Sequence, residues 1–255
     1  MNENTLGYNL CDFPPEHIAE CICANLTASF VNNNEACTWL ACMNPHSYVV
    51  SLNDIEFSSA LANANWLIPD GTGLILASRF LGGSIRRRVT GSDIFYALNE
   101  RMNHLGNFSV FFLGGTEACL KDIQSRMAID YPNIRFSGCY SPPYKEDYCE
   151  FEIEKMISTI NRACADVLWV GMTAPKQEKW IFHYSGRLNV KFAAAIGAVF
   201  DFYTGRIKRS HPIFQKLGLE WLPRLVQEPR RLWKRNFVST PIFLYRLVRF
   251  KLFRR

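Results

Sequence analysis

At 255 residues and 48% hydrophobic side chains, the chain is long enough for one large α/β domain or for a domain with an appendage. Nine cysteines is an odd number, so they cannot all pair, and most stand in apolar or helical surroundings; a reduced, cytoplasmic chain with buried thiols is expected. Only Cys21 and Cys23 lie close together, no zinc-ligand spacing surrounds them, and no metal site is expected. The first residues lack a basic stretch followed by an apolar one, and no run reaches about 18 apolar residues, so neither a signal peptide nor a membrane span is expected. The net charge of +6 hides a division: residues 206–255 hold 14 of the 29 Lys and Arg but only Glu220 and Glu228 of the 23 acids, so they carry +12 against −6 for residues 1–205. An acidic body with a basic end points to a polyanionic partner.

Residues 1–35 are weakly patterned, with a turn at Pro14-Pro15, a helix near 17–28 and a loop at 32–35. The short apolar run 38–43 reads as a buried strand. It stops at Asn44-Pro45, where Pro45 suits a first helical position, and helices follow near 45–52 and 55–62. Trp66, Leu67 and Ile68 form the next strand, which ends at Pro69-Asp70-Gly71-Thr72-Gly73 before a helical pattern takes over. That turn delivers the Asp70 carboxylate to the carboxyl end of a sheet strand, where open α/β sheets bind their ligands. Asp70 reads either as a helix cap or as a general base beside an anion site. Arg86-Arg-Arg88 precedes a helix over 94–105; it is either a solvated loop or a phosphate contact.

The buried strand 108–113 turns through Gly114-Gly115-Thr116 into a helix over 117–128, a mononucleotide-binding arrangement in miniature. A strand over 134–139, an amphipathic helix over 148–164 and a strand over 166–171 follow. The segment Ala174-Pro-Lys-Gln-Glu178 then opens another helix, with Lys176 and Gln177 in its first turn, where they suit phosphate and sugar hydroxyls or simply the surface. The last strand is 190–196. Strands and helices alternating in this way specify an α/β fold, a mostly parallel, Rossmann-like sheet flanked by helices. Residues 1–205 are expected to form this α/β domain. Residues 206–255 form a basic amphipathic helical appendage whose arginines interleave with aromatics, which suits an anionic membrane surface; no nucleic-acid motif accompanies it, so no nucleic-acid partner is expected.

Taken together, Met43-Asn-Pro-His-Ser47, Ile68-Pro-Asp-Gly71, Arg88-Val-Thr-Gly-Ser-Asp93, Phe112-Leu-Gly-Gly115, Ala174-Pro-Lys-Gln-Glu178, Gly197…Phe200-Asp201…Gly205 and Gly218-Leu-Glu-Trp221…Arg224-Leu…Glu228-Pro229 resemble the WecG/TagA/CpsF glycosyltransferases. Each motif is weak alone; the ordered set, spanning about residues 38–233, is specific. The resemblance implies transfer of a sugar from a UDP donor, with inversion, to an acceptor such as N-acetylglucosaminyl undecaprenyl diphosphate on the cytoplasmic membrane face. It implies an N-acetylmannosamine-type donor by preference, with glucose or N-acetylmannosaminuronate as alternatives.

Carried onto this chain, the resemblance makes Asp70 the base. It puts Asn44, Gly71, Arg88, Thr90, Gly91, Gly114, Gly115, Lys176 and Gln177 around the substrates, and Arg224 and Arg231 on the diphosphate. Cys42 stands where many relatives have Thr, and Arg209-Ser-His-Pro212 is one residue longer than the usual Arg-Ala-Pro. The chain contains no Asp-x-Asp, so no cofactor is expected: leaving-group charge falls to helix N-termini and arginines. A non-catalytic nucleotide-binding regulator is the competing reading, and whether the chain forms a homo-oligomer stays open.

Overall fold

A computed structural model of the chain describes residues 2–28, 36–207 and 233–253. It begins with an antiparallel hairpin of β1 (Asn2–Thr5) and β2 (Tyr8–Cys11), followed by α1 (Pro15–Ala28). The hairpin is absent from the sequence reading. Its turn places Leu6 and Gly7 at φ 56° and 89°, a conformation that glycine adopts without strain. Across the chain, the Glu3 carboxylate accepts hydrogen bonds from the backbone N–H groups of Ser84 and Ile85.

The body is a six-stranded, all-parallel sheet in the order β4-β3-β8-β7-β5-β6. The strands are β3 (Thr38–Met43), β4 (Trp66–Pro69), β5 (Phe108–Gly114), β6 (Ile134–Tyr140), β7 (Val167–Gly171) and β8 (Phe192–Ala195). Strands buried on both faces read as continuous apolar runs, as β4, β5, β7 and β8 do, whereas the edge strand β6 is only partly buried and carries Arg135 and Ser137. Their alternating side chains feed two cores. Trp39, Ala41, Phe111, Leu113, Leu168 and Val170 enter the core on one face. There they meet α2 (Pro45–Ser51), α3 (Ile55–Asn63), α4 (Thr72–Phe80), α7 (Glu150–Ala163) and α8 (Lys176–Tyr184). Leu40, Ile68, Val110, Phe112, Trp169 and Ala194 enter the other. They pack against α1, α5 (Gly91–Leu105), α6 (Glu117–Asp130) and α9 (Val199–Tyr203). The α/β architecture expected from the alternating pattern is the one observed.

The two edges of the sheet are built differently. At the amino-terminal edge, Asp166 accepts from the Ser109 N–H at 2.9 Å and the Ser109 hydroxyl at 2.6 Å, and pairs with Lys191 Nζ at 3.1 Å, locking the starts of β5, β7 and β8. At the carboxyl edge, the connections leaving β5 and β7 run towards opposite ends of the sheet, which opens a crevice between them.

Of the carboxyl-terminal fifty residues, 206–207 and 233–253 are described. A π-helical segment, Lys234–Ser239, runs into α10 (Thr240–Phe253). Phe243 and Leu247 of α10 are buried, and the Phe243 ring meets the Tyr48 ring of α2 edge-on at 5.6 Å. Burying these two side chains stabilises the docking by on the order of 3–6 kcal/mol. Among the described residues no helix is long and apolar enough to cross a membrane.

Candidate active site

A cleft of about 1050 Å³ runs along the carboxyl edge of the sheet. Asn44, Asp70, Thr90, Gly91, Gly114, Gly115, Lys176 and Gln177 all line it, alongside residues to which the sequence reading gave no individual role: His46, Ser141–Tyr144, Glu178, Asp201 and Arg235. Gly71 and Arg88 are not in the lining. Gly71 sits behind Asp70 as the amino cap of α4, with φ 113°, against Asn44 and Pro45. Arg88 is half-buried, while Arg86, two residues before it, donates to the carbonyls of Gly83 and Ile85. Arg224 and Arg231 lie outside the described residues.

Register explains why Asp70 and Asn44 stand together. Met43 of β3 is opposite Pro69 of β4, and the Asp70 N–H donates to the Met43 carbonyl at 2.7 Å, so both chains leave the sheet side by side. The Asn44 Oδ1 is occupied: it accepts from the N–H groups of His46 and Ser47, both at 3.0 Å, and caps α2. Its amide NH₂ is the end that can donate to a ligand. Thr90 likewise caps α5 in a reciprocal box with Asp93. The capping role of these residues and their place in the lining coexist.

At the other end, Gly114 (φ 104°) lies so close to β7 that a Cβ there would come within 2.6 Å of the Gly171 carbonyl oxygen. The turn leads through Thr116, which caps α6, and presents the positive end of that helix to the cleft. Four strand steps separate β4 from β5, so the two ends lie roughly 19 Å apart. The Ser141 hydroxyl donates to the Gly115 carbonyl at 2.7 Å and pins the loop that closes this end. Lys176 turns towards the same loop: its ammonium donates to the Lys145 carbonyl and lies 4.4 Å from the Tyr148 ring centroid, and desolvation lowers its pKa.

In the middle lies a buried polar pair. Gln177 Nε2 donates to Glu178 Oε1 at 2.9 Å, and Gln177 Oε1 accepts from the Gly197 N–H at 3.1 Å. Burial pushes the Glu178 carboxyl up to about 7, against smaller opposing hydrogen bonds. Cys42, on the adjoining floor, is pushed well above the usual thiol range, first by burial and then by the Asp70 and Glu178 carboxyls. His46 Nδ1 hydrogen-bonds the Ser239 hydroxyl at 2.8 Å, which ties the carboxyl-terminal segment to α2 and brings Arg235 to the cleft. Burial and the Arg235 charge both lower the His46 pKa.

Among the described lining residues, the acids Asp70, Glu117, Glu178 and Asp201 face only two permanent cations, Lys176 and Arg235. A diphosphate bound here needs more positive charge than these supply.

The sequence profile of the glycosyl transferase WecG/TagA/CpsF family matches residues 8–255, and the chain belongs to that family. It is a glycosyltransferase. Among its relatives is the N-acetylglucosaminyldiphosphoundecaprenol N-acetyl-beta-D-mannosaminyltransferase of Bacillus subtilis strain 168, 30% identical over 77% of this chain and 73% of the relative. Proteins of the same name match from Bacillus spizizenii, at 26% over 94% and 89%, and from Staphylococcus aureus strain MW2, at 27% over 89% and 86%.

Proposed function

We propose that this enzyme transfers an N-acetylmannosamine-type sugar from UDP to the N-acetylglucosamine of an undecaprenyl-diphosphate-linked acceptor, with inversion, in the synthesis of a cell-surface polysaccharide. The names of the relatives support the donor and acceptor classes. The observation that carries the reading is the separation of two functions along one cleft: a half-buried carboxylate, Asp70, at the β3–β4 end, and a glycine turn with a helix N-terminus at the β5 end. UDP fits the second end, which directs the sugar towards the first. There Asp70 takes the proton from the acceptor hydroxyl as its oxygen attacks the anomeric carbon, and UDP leaves from the opposite face.

The acidic balance of the described lining supports a role for residues 206–255 in completing the site, with Arg224 and Arg231 joining Arg235 on the diphosphate. The division into a 1–205 catalytic domain and a 206–255 appendage belongs to the same proposal. So does peripheral attachment to the cytoplasmic face of an anionic membrane. On α10, Leu244, Tyr245, Val248 and Leu252 are exposed on the same helix as Arg246, Arg249 and Lys251, a composition suited to the headgroup boundary. Leaving-group stabilisation by arginines and helix N-termini needs no metal, so turnover survives exhaustive EDTA treatment; loss restored only by a divalent ion contradicts this. A panel of UDP-sugars with the lipid-linked acceptor tests the donor: release of UDP with UDP-N-acetylmannosamine supports the reading, and release with another donor alone replaces it.

A further inference from the structure

Glu178 is unusual for a buried residue. It is 1% exposed, at the floor of the cleft; its Oε1 holds the Gln177 amide, and its Oε2 is buried with no hydrogen-bond partner among the described residues. An unpartnered buried carboxyl oxygen destabilises a fold, and packing alone favours an apolar side chain at such a position. Groups of this kind persist where a site needs them.

The geometry shows what it does for Gln177. The Gly197 N–H can only donate, so it selects the carbonyl oxygen of the Gln177 amide. Glu178 Oε1 accepts, so it selects the amide nitrogen. The two partners, one on each side, fix the same orientation of an amide that would otherwise flip. The clamp uses one N–H and one lone pair. The second N–H and the second lone pair are left on a group that lines the cleft. Gln177 is held against Gly197, just beyond β8, so the clamp lies in the middle of the cleft floor, between the Asp70 end and the β5 end.

We propose that Glu178 is a positioning residue for donor recognition: it locks Gln177 so that the amide's remaining N–H and lone pair read a hydroxyl or acetamido group of the transferred sugar. The high pKa of its buried carboxyl supports this, because a clamp that is mostly uncharged at pH 6 adds little negative charge beneath a diphosphate-bearing donor.

The inference rests on the transferase reading and is tested by binding, without turnover. Calorimetric titration of the full chain with UDP and with UDP-N-acetylmannosamine compares the wild type with Glu178→Leu, Glu178→Gln, Gln177→Ala and the Gln177→Ala/Glu178→Leu pair. Glu178→Leu is expected to weaken UDP-N-acetylmannosamine about tenfold while UDP stays within about threefold. Glu178→Gln keeps a carbonyl to accept from Gln177 and is expected to recover the sugar-dependent affinity. On the Gln177→Ala background, Glu178→Leu is expected to add nothing. Equal weakening of UDP and UDP-sugar, no weakening of either, a Gln variant no better than Leu, or an undiminished Leu effect without Gln177 each overturns the inference while the transferase reading stands. A wild type that binds neither nucleotide overturns both.

Discussion

The buried Glu178 carboxyl makes the fold's stability depend on pH in a calculable way. Its pKa rises from 4.5 in the unfolded chain to about 7 in the fold, chiefly through burial. Between those values the folded state holds a proton that the unfolded state has released, so stability falls as pH rises. The contribution is fully present below pH 4.5 and lost as pH climbs through 7. A shift of about 2.5 units at about 1.4 kcal/mol each is about 3 kcal/mol. Glu178→Gln removes the ionisation and keeps the shape. It is therefore expected to unfold in urea with a free energy about 3 kcal/mol higher, relative to wild type, at pH 8 than at pH 4.5. The assay is a pair of urea titrations for each protein at the two pH values. A difference between variant and wild type that does not change with pH refutes the assignment of a neutral buried carboxyl.

Asp166→Ala removes three interactions at the amino-terminal edge of the sheet, on the side away from the cleft. It is expected to lose about 3 kcal/mol in chemical denaturation with UDP affinity unchanged. Truncation after Tyr203 removes α10 and the arginines, and leaves the sheet and α1–α9 complete. Circular dichroism is expected to show a folded body that retains under about 5% of turnover on lipid-linked acceptor and no longer sediments with anionic vesicles; full turnover by the truncated chain defeats the idea that residues 206–255 complete the site.

Much of the fold was legible because most of its strands are buried on both faces. The apolar runs ending at Met43, Pro69, Leu113 and Gly171 have no surface pattern to confuse them, and Asn44-Pro45, Gly71 and Gly114-Gly115 mark where each chain leaves the sheet. The amino-terminal hairpin was not legible: Asn-Glu-Asn-Thr has little strand propensity, and its Glu3 anchor reaches Ser84, a contact no local pattern encodes. The same limit applies within the site. Lys176-Gln-Glu-Lys179 reads as a solvated helical turn, yet Gln177 and Glu178 point into the protein while Lys179 pairs with Asp54 and Glu56 outside. Only packing against β8 and Gly197 separates these faces. Lys176 itself is drawn to the Lys145 carbonyl and the Tyr148 ring, partners thirty residues away in sequence.

The central claim is that Asp70 is the base of a UDP-dependent sugar transfer. The measurement that tests it most directly is UDP release from UDP-N-acetylmannosamine with the N-acetylglucosaminyl lipid diphosphate, wild type beside Asp70→Asn, with UDP affinity measured on both. Loss of a general base is expected to lower kcat by about 10²–10⁴ while the variant binds UDP as the wild type does. An Asp70→Asn enzyme that turns over within threefold of wild type contradicts the account.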